Sequence, residues 1–202
     1  MDEQARQNKE MEIENLTKNE KNKCIVEFKT RSYFVYRIYR TNKLLFEENM
    51  ESYGNCDSLK FINNALVDHI LLQFHIITDP ANFKKDKNLS VFFFLEWPWE
   101  QEVKSKLESL GHKLNTFVDF GRDKNPRHKL LAHWDVATIL SVQEPLGSFP
   151  EGNEIEFFQN LNEFIQTMQK AMGHKDEWNI LSDKKADGKD LLSVINTGSK
   201  LK

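Results

Sequence analysis

From Cys24 to Glu48 apolar side chains return at near-helical spacing, at Ile25, Phe28, Val35, Tyr36, Tyr39 and Phe46, with Arg31, Arg37 and Arg40 among them. Positions three and four apart share one face of a helix with 3.6 residues per turn, so this stretch predicts a long amphipathic helix. Residues 1–22 ahead of it are polar and read as a flexible arm or an extension of that helix. Ser52-Tyr53-Gly54-Asn55-Cys56-Asp57-Ser58 is loop-like, and Asp57 or Ser58 suits the cap of a second helix, Leu59 to Ile77. That helix should stop before Asp79-Pro80, because a residue preceding proline is pushed out of the α region. On it Leu59, Ile62, Leu66, Ile70 and Gln73 share a face flanked by Phe74 and Ile77, the pattern of a largely buried helix.

Phe83 to Asn88 is basic and loop-like. Leu89-Ser90-Val91-Phe92-Phe93-Phe94-Leu95 follows, a run whose aromatic content favours a strand but which has no partner strand elsewhere, so a helix is the expectation. Pro98 opens a helix from Trp99 to Leu110 that Gly111 should stop. Lys113 to Phe120 is short and helical or extended, and Gly121 to Pro126 is a loop. A further helix runs from Pro126 to about Val142, and Pro145, Gly147 and Pro150 make a loop. Glu154 to Met172 carries Ile155, Phe158, Leu161, Ile165, Met168 and Met172 on one side and ends at Gly173. The remainder is polar apart from Leu191 to Ile195. The expected fold is therefore all-α, an antiparallel helical bundle over residues 23–175, with an arm at 1–22 and a polar tail at 176–202.

Composition narrows the function classes. The chain has 202 residues, 39% of them apolar, enough for one domain with a real core. A formal net charge of −3 supplies no global basic field, so nucleic-acid binding would need a local patch. Cys24 and Cys56 form no CxxC and read as two inert thiols in a reducing compartment. The charged N-terminus lacks a signal-peptide core, and the apolar run Val91 to Leu95 is far shorter than the span of about 30 Å of hydrocarbon. A soluble cytoplasmic protein without membrane contact is the expectation. No Gly-rich phosphate loop, GxSxG or HExxH occurs, which removes the usual support for nucleotide hydrolases, serine hydrolases and zinc enzymes.

The most informative stretch is Arg127-His128-Lys129-Leu130-Leu131-Ala132-His133-Trp134-Asp135. Asn125 suits a helix N-cap and Pro126 the first helical position, which puts Arg127 in a first turn. Leu130, Leu131, Trp134 and Ala137 then form an apolar stripe with Arg127 inside it and His133 at its edge. Such an arginine needs an anionic partner, because it stays protonated and a buried unpaired charge costs several kcal/mol. That partner could be Asp123, Asp135 or Glu144, with His133 a satisfied core histidine, or it could be a phosphate. A metal or other cofactor is not expected: His128 and His133 stand about 140° apart on a helix, whereas a shared metal favours positions i and i+4. His69 and His75 read as core-edge or capping histidines. Trp97, Trp99, Trp134 and Trp178 read as core, and Arg31, Arg37 and Arg40 as a solvated face.

An arginine separated from a histidine by four to six residues, with a polar residue directly after the arginine, resembles the signature of the HEPN superfamily. Thr78-Asp79-Pro80, then Lys87-Asn88-Leu89-Ser90, then Arg127 to Asp135, in that order, resemble the abortive-infection HEPN family of the AbiU2 type over roughly residues 30 to 170. An arginine expected in much of that family shortly before the Thr-Asp pair is replaced here by Ile76 and Ile77. The resemblance implies a helical bundle that forms a homodimer and brings two motif helices together. It implies RNA as substrate, metal-independent endoribonuclease activity, a toxin or phage-defence role, and in some settings a neutralising antitoxin. The implied catalytic residues are Arg127, His128 and His133. A HEPN-like module that binds RNA or protein without cleaving is the other expectation.

Overall fold

The first helix starts at its cap. Thr17 Oγ1 accepts the Glu20 N–H at 3.3 Å while Glu20 Oε2 accepts the Thr17 N–H at 2.8 Å, a reciprocal box that satisfies two of the orphan donors of a helix start. In the computed structural model, which describes residues 16–47, 57–83, 86–124, 153–174 and 179–182, helix α1 accordingly runs Lys18–Asn42. The expected start at Cys24 is six residues late, and the end of the expected polar arm is helix. Buried Ile25, Phe28, Ser32, Val35, Tyr39 and Asn42 alternate spacings of three and four along α1, the seam of a helix that packs against neighbours along its whole length. A five-residue π-helical turn, Lys43–Glu47, follows and buries Leu44, Leu45 and Phe46.

Helix α2, Asp57–Ile77, matches the expected boundaries, but its burial does not. Only Ile70, Leu71, Phe74 and Ile77 are buried, while Phe61 is 75% exposed and Ile62 45%. The rings that pack on α2 from the last helices gather around Phe74, in its C-terminal half, and leave the N-terminal half uncovered by them. Asn42, at the end of α1, donates to Asn63 Oδ1 at 2.7 Å. After α2, Thr78 Oγ1 donates back to the Phe74 carbonyl at 3.0 Å and Pro80 prevents continuation.

The expected loop from Phe83 to Asn88 contains a minimal hairpin, β1 (Asn82–Phe83) with β2 (Asp86–Lys87), pairing Asn82 with Lys87 and Phe83 with Asp86. Helix α3, Val91–Leu95, confirms the helical reading of the phenylalanine run. Ser90 Oγ accepts the Phe93 N–H, and Val91, Phe93 and Phe94 are buried.

Helix α4 runs Gln101–Lys124, straight through Gly111, so the expected stop there is wrong. Gly111 is buried, and a Cβ added to it would lie 3.2 Å from Leu95 Cδ1. The missing side chain lets α3 approach α4; it serves packing between helices rather than termination. Helix α5, Asn153–Ala171, ends as expected at Gly173, whose φ of 77° suits glycine. The Gly173 N–H reaches the Lys170 carbonyl and the His174 N–H the Gln169 carbonyl, both at 3.0 Å, which is a Schellman closure. Along α5, Phe157 and Phe164 are fully buried and were not on the expected face, whereas Ile155 is 46% exposed.

Contacts fix the directions of the helices. Against α5, α1 places Tyr39 beside Phe158, Phe28 beside Phe164 and Asn22 beside His174, so the two run antiparallel. Against α4, α5 pairs Phe157 with Phe117 and Glu163 with Lys106, antiparallel again. The result is an all-α arrangement with a phenylalanine-rich centre: Phe28, Phe74, Phe93, Phe94, Phe157, Phe158 and Phe164 are all essentially inaccessible. No described helix is long and apolar enough to cross a membrane.

Candidate functional site

Arg127, His128 and His133 lie outside the described residues, as do the helix expected from Pro126 to Val142 and the loop after it. Cys56, Trp134, Trp178 and the patch Leu191 to Ile195 lie outside them too. What the structure places is the ground from which residues 125–152 depart. Because α4 and α5 run antiparallel, the end of α4 at Lys124 and the start of α5 at Asn153 belong to the same end of the bundle. Three rings hold that end together: Phe74 lies 4.2 Å from Phe157 and 5.6 Å from Phe117, and Phe117 lies 5.1 Å from Phe157, centroid to centroid. The last turns of α2 pack at this same end of the bundle, through Phe74.

Two of the three short segments that suggested a family are described, and they come together. The Asn88 N–H donates to the Ala81 carbonyl at 2.8 Å and Asn88 Nδ2 to the Pro80 carbonyl at 2.9 Å, tying Lys87-Asn88 to the residues after Thr78-Asp79. Glu96 gathers the hairpin from outside, accepting from Asn82 Nδ2 at 2.9 Å and Lys87 Nζ at 3.0 Å. Ser90 is the α3 cap. These polar side chains therefore serve the fold, since they close the hairpin, cap a helix or join the two.

The remaining candidates resolve locally. Arg31 pairs with Glu27 at 2.7 Å with both side chains more than half exposed, Arg37 sits over the Tyr33 ring at 5.8 Å, and Arg40 lies in the last turn of α1. Arg31 and Arg37 thus lie on the solvated face expected of them, whereas Arg40 is half-buried. His69 and His75 are half-buried on α2, and His174 Nε2 lies 3.1 Å from Asn22 Oδ1. Among the described residues no three His, Cys, Asp or Glu side chains come together as a metal site. Trp97 is buried and stacks on Trp99, whose Nε1 donates to the Phe94 carbonyl at 2.6 Å, so both are core as expected. Burial, helped by nearby Glu20, pushes the Cys24 thiol above its ordinary value and leaves it protonated at neutral pH, which makes it a poor nucleophile.

An open polar cleft on α4 and α5, which no sequence pattern announces, is lined by Lys106, Gln159, Asn162, Glu163, Gln166 and Lys170. Its residues are engaged in structure: Lys106 pairs with Glu163 at 2.8 Å, and Asn162 Oδ1 accepts the Ile180 N–H at 2.9 Å, which pins the chain beyond α5. No protein-family model, curated protein or solved structure matches the chain.

Proposed function

We propose that the protein is a metal-independent endoribonuclease of the HEPN type, and that Arg127, His128 and His133 carry the reaction. The observation behind this reading is the run Asn125-Pro126-Arg127 to His133, which combines a helix-start signal, a fixed cation and a titratable base within two helical turns. RNA carries its own nucleophile. The 2′-OH attacks the adjacent phosphorus, a base removes its proton, an acid protonates the departing 5′-oxygen, and positive charge stabilises the phosphorane; the products are a 2′,3′-cyclic phosphate and a 5′-OH. His133 serves as base or acid, since an imidazole exchanges protons near neutrality. Arg127 supplies a planar fork for the phosphate from a helix first turn whose free N–H groups also favour an anion. His128 positions the phosphate or makes the second proton transfer.

One such site has one strong titrating group, so the reading includes a HEPN-like homodimer in which two motif segments face each other and each contributes a histidine. A toxin or phage-defence effector in the cytoplasm, restrained in some settings by an antitoxin, is the biological role that fits. The replacement of an expected basic residue by Ile76 and Ile77 favours the second reading, a HEPN-like module that binds RNA or protein without cutting. Incubation of the purified protein with a single-stranded RNA and with the matching all-deoxy strand separates the two. The nuclease reading expects cleavage of the RNA alone; binding without cleavage of either strand supports the second.

A further inference from the structure

Helix α1 is the basic element of an acidic chain. From Phe28 to Phe46, α1 and the π-helical turn carry Lys29, Arg31, Arg37, Arg40 and Lys43 and no acidic residue, although the formal net charge of the whole chain is −3. These cations are not equivalent. Arg31 is neutralised by Glu27 at 2.7 Å. Arg37 and Arg40 instead form a row with Tyr33 and Tyr36, at positions i, i+3, i+4 and i+7, within an arc of about 100° on the helix. Lys29, one turn earlier, continues the row, whereas Glu20, Glu27 and Arg31 fall roughly 130–170° from its middle. Neither Arg37 nor Arg40 forms an ion pair among the described residues, and Glu154 and Glu156 in the first turn of α5 pair with neither. Arg37 is exposed and lies over the Tyr33 ring at 5.8 Å; Arg40 is half-buried. A guanidinium stays charged, and partial burial strips some of its water, so Arg40 gains more from an anion than a fully hydrated cation does. The end of its own helix offers it only about half a negative charge. The row is also fixed in place, since Tyr36 packs edge-on against Phe158 at 5.1 Å.

We infer that this row of α1 binds single-stranded RNA, Arg37 and Arg40 each holding a phosphate and an unpaired base stacking on the Tyr33–Arg37 pair. Three features select this occupant. The two unpaired cations are both arginines, whose planar forks match a phosphate in two hydrogen bonds, whereas lysine offers only a point charge. A guanidinium already laid over a ring is a flat platform for a base; a duplex hides its base faces, and an anionic lipid surface has none. The row also stands at the relevant end of the molecule. Tyr36 and Tyr39 pack on Phe158, so the last turns of α1 lie beside the first turns of α5. That is the end of the bundle where Lys124 closes α4 and Asn153 opens α5, and Arg127 to His133 fall between those two residues in the sequence. The choice of RNA rests on the ribonuclease reading; the residues that hold it are new to that reading.

Binding is measured with the full-length protein by fluorescence anisotropy of a labelled oligouridine in which every 2′-OH is methylated, so that no cleavage can occur. The wild type is expected to bind. Arg37→Gln/Arg40→Gln should raise Kd about tenfold or more. A single strand releases about 0.7 counterion for each phosphate contact, so the slope of log K against log salt should fall by about 1.4. Arg31→Gln/Lys113→Gln removes the same charge from exposed positions off the row and should change Kd by less than about twofold. Arg37→Gln alone, at an exposed position, should lower the slope by about 0.7 and decides the matter if the double variant loses its circular dichroism. A wild type that does not bind, or an equal loss in the Arg31→Gln/Lys113→Gln control, overturns the inference. Tighter binding of the same strand paired with oligoadenosine overturns the choice of a single strand. A loss confined to binding of anionic phospholipid vesicles assigns the row to a membrane and overturns it as well. Failure of the ribonuclease reading is seen separately. An unmethylated strand that is bound but never cut sinks that reading and leaves this one, whereas a strand that Arg37→Gln/Arg40→Gln cuts with an unchanged KM sinks this one and leaves that.

Discussion

Replacing Phe74 with alanine removes the ring that joins the end of α2 to α4 and α5. Phe74 is fully buried, and three rings surround it, with centroids at 4.2 Å (Phe157), 5.5 Å (Phe158) and 5.6 Å (Phe117). Deleting a buried phenylalanine costs about 3–5 kcal/mol through lost transfer energy and the cavity left behind. Each aromatic pair adds roughly 0.5–1.5 kcal/mol beyond area, which places Phe74→Ala toward the top of that range, near 4–5 kcal/mol. Against a total stability of about 5–15 kcal/mol this is between about a quarter and all of it. Urea unfolding followed by far-UV circular dichroism, at one fixed protein concentration, measures the loss. Glu108→Ala, on the exposed side of α4, is the control and should stay within about 0.5 kcal/mol. A loss below about 1 kcal/mol for Phe74→Ala would show that the three-ring cluster does not hold this end of the bundle.

Three further outcomes are expected. Gly173→Ala forces a side chain into a φ of 77° and should cost about 1–2 kcal/mol in the same unfolding assay, with no effect if the closure of α5 does not need that conformation. The hydrogen bonds from Thr17 hold the Glu20 carboxyl below its ordinary value, so its contribution to stability is present above the unfolded carboxylate pKa and is lost as pH falls through the lowered folded one. Glu20→Gln should therefore flatten the acid limb of the stability–pH curve, and an unchanged limb would contradict the capping box as its source. RNA cleavage should survive EDTA, because the 2′-OH supplies the nucleophile; loss on chelation with recovery on adding a divalent metal would contradict the proposed mechanism.

The helices are legible in the sequence where one face carries the signal. The stretch Asp57 to Ile77 and the stretch ending at Gly173 agree with expectation within two residues, because a proline and a left-handed glycine mark their ends. The start of α1 escapes the periodicity although Thr17-Lys18-Asn19-Glu20 spells a capping box, since no apolar run announces it until Cys24. Gly111 reads as a stop because its use is the approach of Leu95 from α3, a contact between elements that local pattern does not contain. The burial of α2 is overestimated for a related reason. Periodicity shows that a helix has apolar faces, but not which of them its own chain covers, and Phe61 and Ile62 are exposed. For the candidate site the position is reversed. Arg127, His128 and His133 stand out by residue type and spacing alone, while they themselves lie outside the described residues.

Cleavage of a single-stranded RNA by the wild-type protein, His133→Ala and Arg127→Ala, with folding checked by circular dichroism and the product ends identified, tests the proposal most directly. The expected result is 2′,3′-cyclic phosphate ends, and a loss of roughly 10²–10⁴-fold in rate for His133→Ala, the worth of general acid–base help. Arg127→Ala should lose a comparable factor through the charge it places on the phosphorane, and His128→Ala less. A normally folded His133→Ala that cuts RNA at the wild-type rate, or a wild-type protein that cuts the all-deoxy strand equally well, would contradict it.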